Sequence, residues 1–150
     1  MCIRDSHYYV GIGTRDQTTV LDPFSGGEVV PTDELAARLR AATAGRIEFT
    51  RAHLRPAGPA ITTRRILNNL TRDFTNRGAL DDALWTIDCK LVLPNSLADD
   101  HRARGELLSH LGRYRAAAEA FETYLSEAGD AAVDADEVRA QAVRARAKLN

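Results

Sequence analysis

His7 and Asp22 stand fifteen residues apart in a stretch that reads as two paired strands, and an imidazole beside a carboxylate is half of a thiol acyl-transfer site. In that chemistry a thiolate attacks a carbonyl carbon, the imidazole takes and returns the proton, and the carboxylate fixes the tautomer of the imidazole and stabilises its charged form. On spacing alone the signal is weak, because a histidine and an aspartate on neighbouring strands more often make a structural hydrogen bond. The thiol is the missing partner. Cys2 lies five residues before His7, on the same strand or in its tail, and Cys89 sits on a helix near Leu84, Ile87 and Leu91, where a small buried hydrophobe is expected. The chain as given is therefore expected to be catalytically inactive, and whether it comes from an enzyme stays open.

Other chemistry has little support. His7, His53, His101 and His110 show no ligand spacing with cysteines or carboxylates of the kind zinc or iron requires. Gly11-Ile12-Gly13 lacks the rest of a dinucleotide fingerprint and falls at a hairpin. No metal and no cofactor is expected.

The elements that must hold His7 and Asp22 begin with a hairpin. Residues 7 to 12 and 17 to 22 are rich in Tyr, Val, Thr and Ile, and Gly13-Thr14-Arg15-Asp16 between them is a polar loop. Pairing Ile12 with Gln17 sets His7 opposite Asp22, with Cβ atoms about 4.5–5.5 Å apart on one face. Pro23-Phe24-Ser25-Gly26-Gly27 ends the second strand, because proline removes a donor and glycine favours a turn. Glu28-Val29-Val30 can form a further short strand, and Thr32 or Asp33 can cap a helix running through Glu34 to Arg40. Pro56, Gly58 and Pro59 break any pattern between Arg51 and Ala60, which reads as a linker.

Beyond it the chain repeats itself. Gly78 and Gly112 are 34 residues apart, as are Leu80 and Tyr114, Ala83 and Ala117, Ile87 and Phe121, and Leu91 and Leu125. That is the period of the tetratricopeptide repeat, whose two antiparallel helices need a small residue at their turn and another where they cross closely. Gly105 supplies the second of these. The first copy departs from the pattern, with Thr71 in place of that glycine and Pro94 one residue early. A last helix from about Asp134 to Leu149 is expected to cap the second repeat, its arginines facing water. The expected fold class is α+β, a short antiparallel hairpin or sheet followed by an all-α repeat module.

Composition narrows the function classes. With 20 Lys+Arg against 21 Asp+Glu in 150 residues, and seven arginines against seven acidic residues over positions 1 to 60, neither half makes a one-signed field. Nucleic acid and anionic membrane surfaces are disfavoured as partners. No apolar run approaches the roughly 20 residues that span a bilayer, and a cytoplasmic location is expected. Lys90 and Lys148 are the only lysines, a scarcity that reads as the base composition of a GC-rich, bacterial genome. The opening Met1-Cys2-Ile3-Arg4-Asp5-Ser6 resembles translated sequencing adapter, so residues 1–6 are expected to be non-native and the rest the C-terminal part of a longer protein.

His7-Tyr8-Tyr9-Val10, the Leu21-Asp22-Pro23-Phe24-Ser25-Gly26-Gly27 turn, Arg65-Ile66-Leu67-Asn68-Asn69-Leu70 and the repeats together resemble the bacterial transglutaminase-like proteins with C-terminal tetratricopeptide repeats, the Sir-B family. The resemblance spans nearly all of residues 7 to 150. It implies that 7–56 is the C-terminal part of a transglutaminase-like domain and that 57–150 holds two repeats and a capping helix. It also implies that His7 and Asp22 fall on the catalytic histidine and aspartate, with the cysteine tens of residues upstream at a helix N-terminus. Two functions follow. One is a thiol-dependent acyl-transfer or amide-hydrolysing protein whose repeats recruit a protein or peptide; the other is a non-catalytic repeat scaffold or regulatory binding protein. On the family's pattern the groove face presents Arg65, Asn68, Arg72 and Asn76, then Arg102, Glu106, Ser109 and His110, and an acidic or C-terminal peptide suits it. The plainer account of that face is a solvated surface that keeps the repeats soluble.

Overall fold

Residue types separate along the chain: β-branched and aromatic residues dominate up to Val30, and alanine, leucine and arginine dominate after Pro59. The computed structural model follows that division. It describes residues 2–3, 7–14, 18–129 and 132–149, with the backbone alone at 2, 3, 7 and 8. Two units result, residues 1–58 and residues 59–150.

In the first unit β1 (Cys2–Ile3) pairs antiparallel with β2 (His7–Tyr8), which sets His7 opposite Ile3. A second sheet has the order β3 (Val10–Gly13), β4 (Thr18–Asp22), β5 (Glu28–Val29), all antiparallel. Its register pairs Ile12 with Thr19 and Val10 with Leu21, two residues displaced from the expected Ile12–Gln17 pairing. The strands close later than the polar residues suggest, at Gly13 and Thr18, and the Thr18 hydroxyl donates to the Thr14 carbonyl at 2.8 Å across the turn. Extended by one residue, that register brings Tyr9, not His7, opposite Asp22.

An even displacement leaves each side chain on its intended face. Val20 and Asp22 therefore still point inward, 6% and 1% exposed, while Val10, Ile12 and Val29 on the other face are open to solvent. The inward face packs on α1 (Thr32–Ala42), whose Leu35 joins Val20 and Val30 in a small core edged by Tyr9, Phe49 and Leu54. Neither Thr32 nor Asp33 caps this helix. The cap position is Pro31, which has no side-chain donor or acceptor, and Thr32 is already helical. The segment expected to be a linker contains a 3-10 turn, Arg51–Leu54. There the Thr50 N–H donates to His53 Nδ1 at 2.9 Å.

The second unit is five helices: α2 (Pro59–Asn76), α3 (Leu80–Leu91), α4 (Ala98–His110), α5 (Tyr114–Ala128) and α6 (Ala135–Ala147), each packed on the next. Both intra-repeat turns are the same object. Gly78 and Gly112 sit at φ 73° and 72°, and the residue after each donates back to a carbonyl five residues earlier, Ala79 to Phe74 at 2.9 Å and Arg113 to Leu108 at 2.8 Å. That left-handed conformation strains any residue with a Cβ, which explains glycine at a fixed 34-residue interval. Gly105 is set by a neighbour instead: a Cβ there would lie 2.6 Å from the Phe121 ring. The arginines of α6 are exposed, as expected of a cap. Cys89 is only half-buried, because its side of α3 is not covered as fully as that of Ile87.

Candidate functional site

Asp22 closes β4 and caps the 3-10 turn Pro23–Ser25, its Oδ1 accepting from the Phe24 N–H at 3.0 Å. Its Oδ2 accepts from Arg38 Nη1 at 3.0 Å, and the same nitrogen donates to the Tyr9 hydroxyl at 2.8 Å. Arg38 reaches this point from α1, where the one-turn spacing to Glu34 lets Nε and Nη2 bond Glu34 Oε1 at 3.0 and 2.5 Å. Its guanidinium carbon lies 5.8 Å from the centroid of the Tyr9 ring. Hydrogen bonds to Tyr9, then Glu34 and Asp22, hold the Arg38 guanidinium above its ordinary pKa. The His7 side chain lies outside the described residues, so its distance to Asp22 is not part of this geometry.

In the repeats, Asp100 carries a second buried cluster. It occupies the third position of α4, where its Oδ2 accepts from the Leu97 N–H at 3.1 Å and from Arg64 of α2 at 2.6 Å, while Lys90 of α3 approaches Oδ1 at 3.4 Å. Lys90 also donates to Asn68 Oδ1 at 3.2 Å, and Arg64 to the Asn95 carbonyl at 3.1 Å. One carboxylate thus compensates two cations that are themselves almost wholly out of water.

The eight groove residues expected on α2 and α4 do not converge on one place. Asn68 is drawn to Lys90; Arg65 is half-buried, and Arg72 and Asn76 are exposed. Arg102 bonds Glu106 at 3.0 Å and also Asp134, whose carboxyl is held below its ordinary pKa chiefly by the Tyr124 hydroxyl. Glu106, Ser109 and His110 do meet, at the mouth of a cavity of about 230 Å³ between α4, α5 and α6. Tyr114 and Phe121 form its wall from α5, and Gln141, Arg144, Ala145 and Lys148 form the α6 side. His110 Nδ1 lies 2.8 Å from the Glu106 carbonyl, which can only accept. Nδ1 therefore carries a proton, and in the neutral ring Nε2 is the acceptor. Lys148 Nζ is 4.7 Å from the Tyr114 ring centroid. Among the described residues no three His, Cys, Asp or Glu side chains converge as a metal site would require.

The clusters around Arg38 and Asp100, and the α6 side of the cavity, were not foreseen from sequence. For Arg38 the available signal was Glu34 four residues before it. For the others it was the lysine scarcity. Both lysines have specific partners, Lys90 in the buried cluster and Lys148 over Tyr114, which composition alone does not require.

Comparison with known proteins fits both units. Residues 5–68 match the family model of the Transglutaminase-like superfamily, and residues 74–146 match a Tetratricopeptide repeat model. The first match reaches into α2 and takes in Arg65-Ile66-Leu67-Asn68. Two UPF0162 proteins of Xylella fastidiosa, from strains 9a5c and Temecula1 / ATCC 700964, are each 31% identical over 122 residues, covering 79% of this chain and 43% of theirs. The chain thus spans less than half the length of these curated relatives. No solved structure matches it. No helix among the described residues is long and apolar enough to cross a membrane. Taken together, residues 5–68 are similar to the transglutaminase-like superfamily and residues 74–146 to tetratricopeptide repeats, the order of units that the sequence led one to expect.

Proposed function

We propose that the repeat unit is a protein-binding module that takes a polypeptide along the face of α2, α4 and α6 and recruits it for a transglutaminase-like site in a longer protein. In that site His7 supplies the imidazole and Asp22 the orienting carboxylate for thiol-dependent acyl transfer or amide hydrolysis. The observation that carries the binding reading is that Glu106, Ser109 and His110 of α4 and Gln141 and Arg144 of α6 line an open cavity with Tyr114 and Phe121 of α5 in its wall. Tetratricopeptide repeats generally mediate protein–protein contacts, which is the use this face suits.

Peptides selected from a displayed random library against the 150-residue chain test it. A selected peptide should bind in solution, and the Arg65→Ala/Arg72→Ala double variant should weaken it. Two surface ionic contacts, one exposed at Arg72 and one half-buried at Arg65, at about 0.5 kcal/mol each correspond to about fivefold. Unchanged affinity removes α2 from the binding face, and failure to select any peptide discards the module as a peptide binder.

One observation favours the non-catalytic alternative. Asp22 is already held by Arg38 and by its own turn, and such a carboxylate serves the fold whether or not a histidine uses it. In a longer polypeptide containing residues 7–150, the alternatives part on thiol reactivity. If catalysis is present, one cysteine should be alkylated by iodoacetamide near neutral pH at a rate that His7→Ala reduces at least tenfold; a rate indifferent to His7 supports the scaffold.

A further inference from the structure

Asp22 is 1% exposed, and a carboxylate so far from water acts on its neighbours through a weakly screened field. The strength of that field is set by the company the carboxylate keeps. Arg38 Nη1 donates to Oδ2 at 3.0 Å, and the Phe24 N–H holds Oδ1. Glu34 in turn accepts from Arg38 Nε and Nη2, while Nη1 is shared with the Tyr9 hydroxyl, so all three guanidinium nitrogens are engaged.

The charges form a row, Asp22 negative, Arg38 positive and Glu34 negative, so one negative charge is left over. They are also graded. The side chain of Asp22 is buried, that of Arg38 is 36% exposed and that of Glu34 47% exposed, so water screens Glu34 most. Tyr9 adds a neutral hydroxyl, and Glu28, the register partner of Asp22 on β5, is exposed. An imidazole that must accept a proton near neutral pH works best when its own pKa lies close to that pH. A buried aspartate beside it favours the charged ring and keeps it protonated. A cation behind the aspartate opposes that pull, and an acid behind the cation restores part of it.

We infer that Arg38 and Glu34 are positioning residues that set the proton affinity of the imidazole paired with Asp22: Arg38 offsets the carboxylate and keeps the ring able to accept a proton, while Glu34 anchors Arg38 and limits the offset. This tuning rests on the pairing of His7 with Asp22 proposed above, and it acts from α1, which carries neither group.

The 150-residue chain is enough to test it, because an imidazole titrates with or without a thiol. The histidine Cε1–H signals are followed by NMR against pH, that of His7 being the one lost in His7→Ala. Asp22→Asn should lower the pKa of His7. Arg38→Gln should raise it by about half a pH unit or more, and Glu34→Gln, which keeps an oxygen to accept from Arg38, should lower it by less, as suits a more exposed charge. Opposite signs distinguish tuning from damage. A loosened fold exposes the ring and moves both variants toward the ordinary histidine value, in one direction, so shifts of the same sign overturn the inference, as does an unmoved pKa in Arg38→Gln. If Arg38→Gln does not fold, Glu34→Gln decides: a lowered pKa with an unchanged urea midpoint supports the tuning, and a raised or unchanged pKa overturns it. If Asp22→Asn leaves His7 where it was, the pairing has failed and the catalytic reading with it. If Asp22→Asn lowers the pKa while Arg38→Gln does nothing, the pairing stands and the tuning alone has failed.

Discussion

In the second repeat Gly105 of α4 lets the Phe121 ring of α5 lie against the helix backbone, and Ala120 beside it is buried; 34 residues earlier the corresponding positions hold Thr71, Ile87 and Thr86. There the crossing is made by hydroxyls. Thr71 Oγ1 and Thr86 Oγ1 are 2.8 Å apart, and each is 2.7 Å from a carbonyl of its own helix, Leu67 for Thr71 and Ala83 for Thr86. Two protons serve three short contacts, so only two of these are hydrogen bonds at any moment. The same helix-pair architecture is reached once by shape, with a ring filling the space a glycine leaves, and once by polarity at closer to equal side-chain sizes. The lesson is that the repeat constrains the volume shared by facing positions more than the identity of either.

Between the two crossings lies Asp100, and its loss should have the largest effect. Asp100→Ala leaves Arg64 and Lys90 buried without a counter-charge, which costs about 3–5 kcal/mol, read as a fall in the urea midpoint. Adding Lys90→Met should recover part of it. No recovery would mean that the loss comes from the helix cap and not from orphaned charge.

Next comes a test of shape. Gly105→Ala gains about 1 kcal/mol of helix propensity, but its Cβ would fall 2.6 Å from the Phe121 ring, which is 1% exposed and must shift to make room. Overpacking of this kind costs about 1–3 kcal/mol, so the variant should be less stable by equilibrium unfolding. With Phe121→Ile added, copying the first repeat, the alanine should become tolerated. If the two substitutions simply add, the compensation between facing positions is wrong.

The smallest effect should come from polarity. Thr71→Val keeps the shape, frees the Thr86 proton for the Ala83 carbonyl, and removes one hydrogen bond, worth about 0.5–1.5 kcal/mol. A loss above 3 kcal/mol would show that the threonine pair matters more than its contact inventory implies.

Legibility in the sequence tracked how local each cause is. The turn glycines were readable because backbone conformation at one residue demands them, and Gly105 because a repeat 34 residues long supplies its own comparison. The helices of the second unit and the strand at Glu28–Val29 followed from periodicity and turn chemistry. The hairpin register was missed by two residues, since a polar loop permits several closures and only the pairing of Gly13 with Thr18 decides among them. The face assignment survived that error because the displacement is even. Arg38, Tyr9 and Asp22 come from three separate elements, and Arg64, Lys90 and Asp100 from three helices, so no spacing along the chain announces either cluster.

A stack of helical repeats ordinarily behaves as a one-dimensional chain of neighbours, each able to fray from an end while the next stays folded. Asp100 belongs to the second repeat yet satisfies cations that the first repeat has buried, and its own helix start depends on the same oxygen that Arg64 holds. Opening the first repeat therefore takes Arg64 and Lys90 away from Asp100, and opening the second strands two charges in the first. That shared carboxylate should couple the unfolding of the two repeats, so that the independence a repeat architecture normally offers is reduced at this one residue.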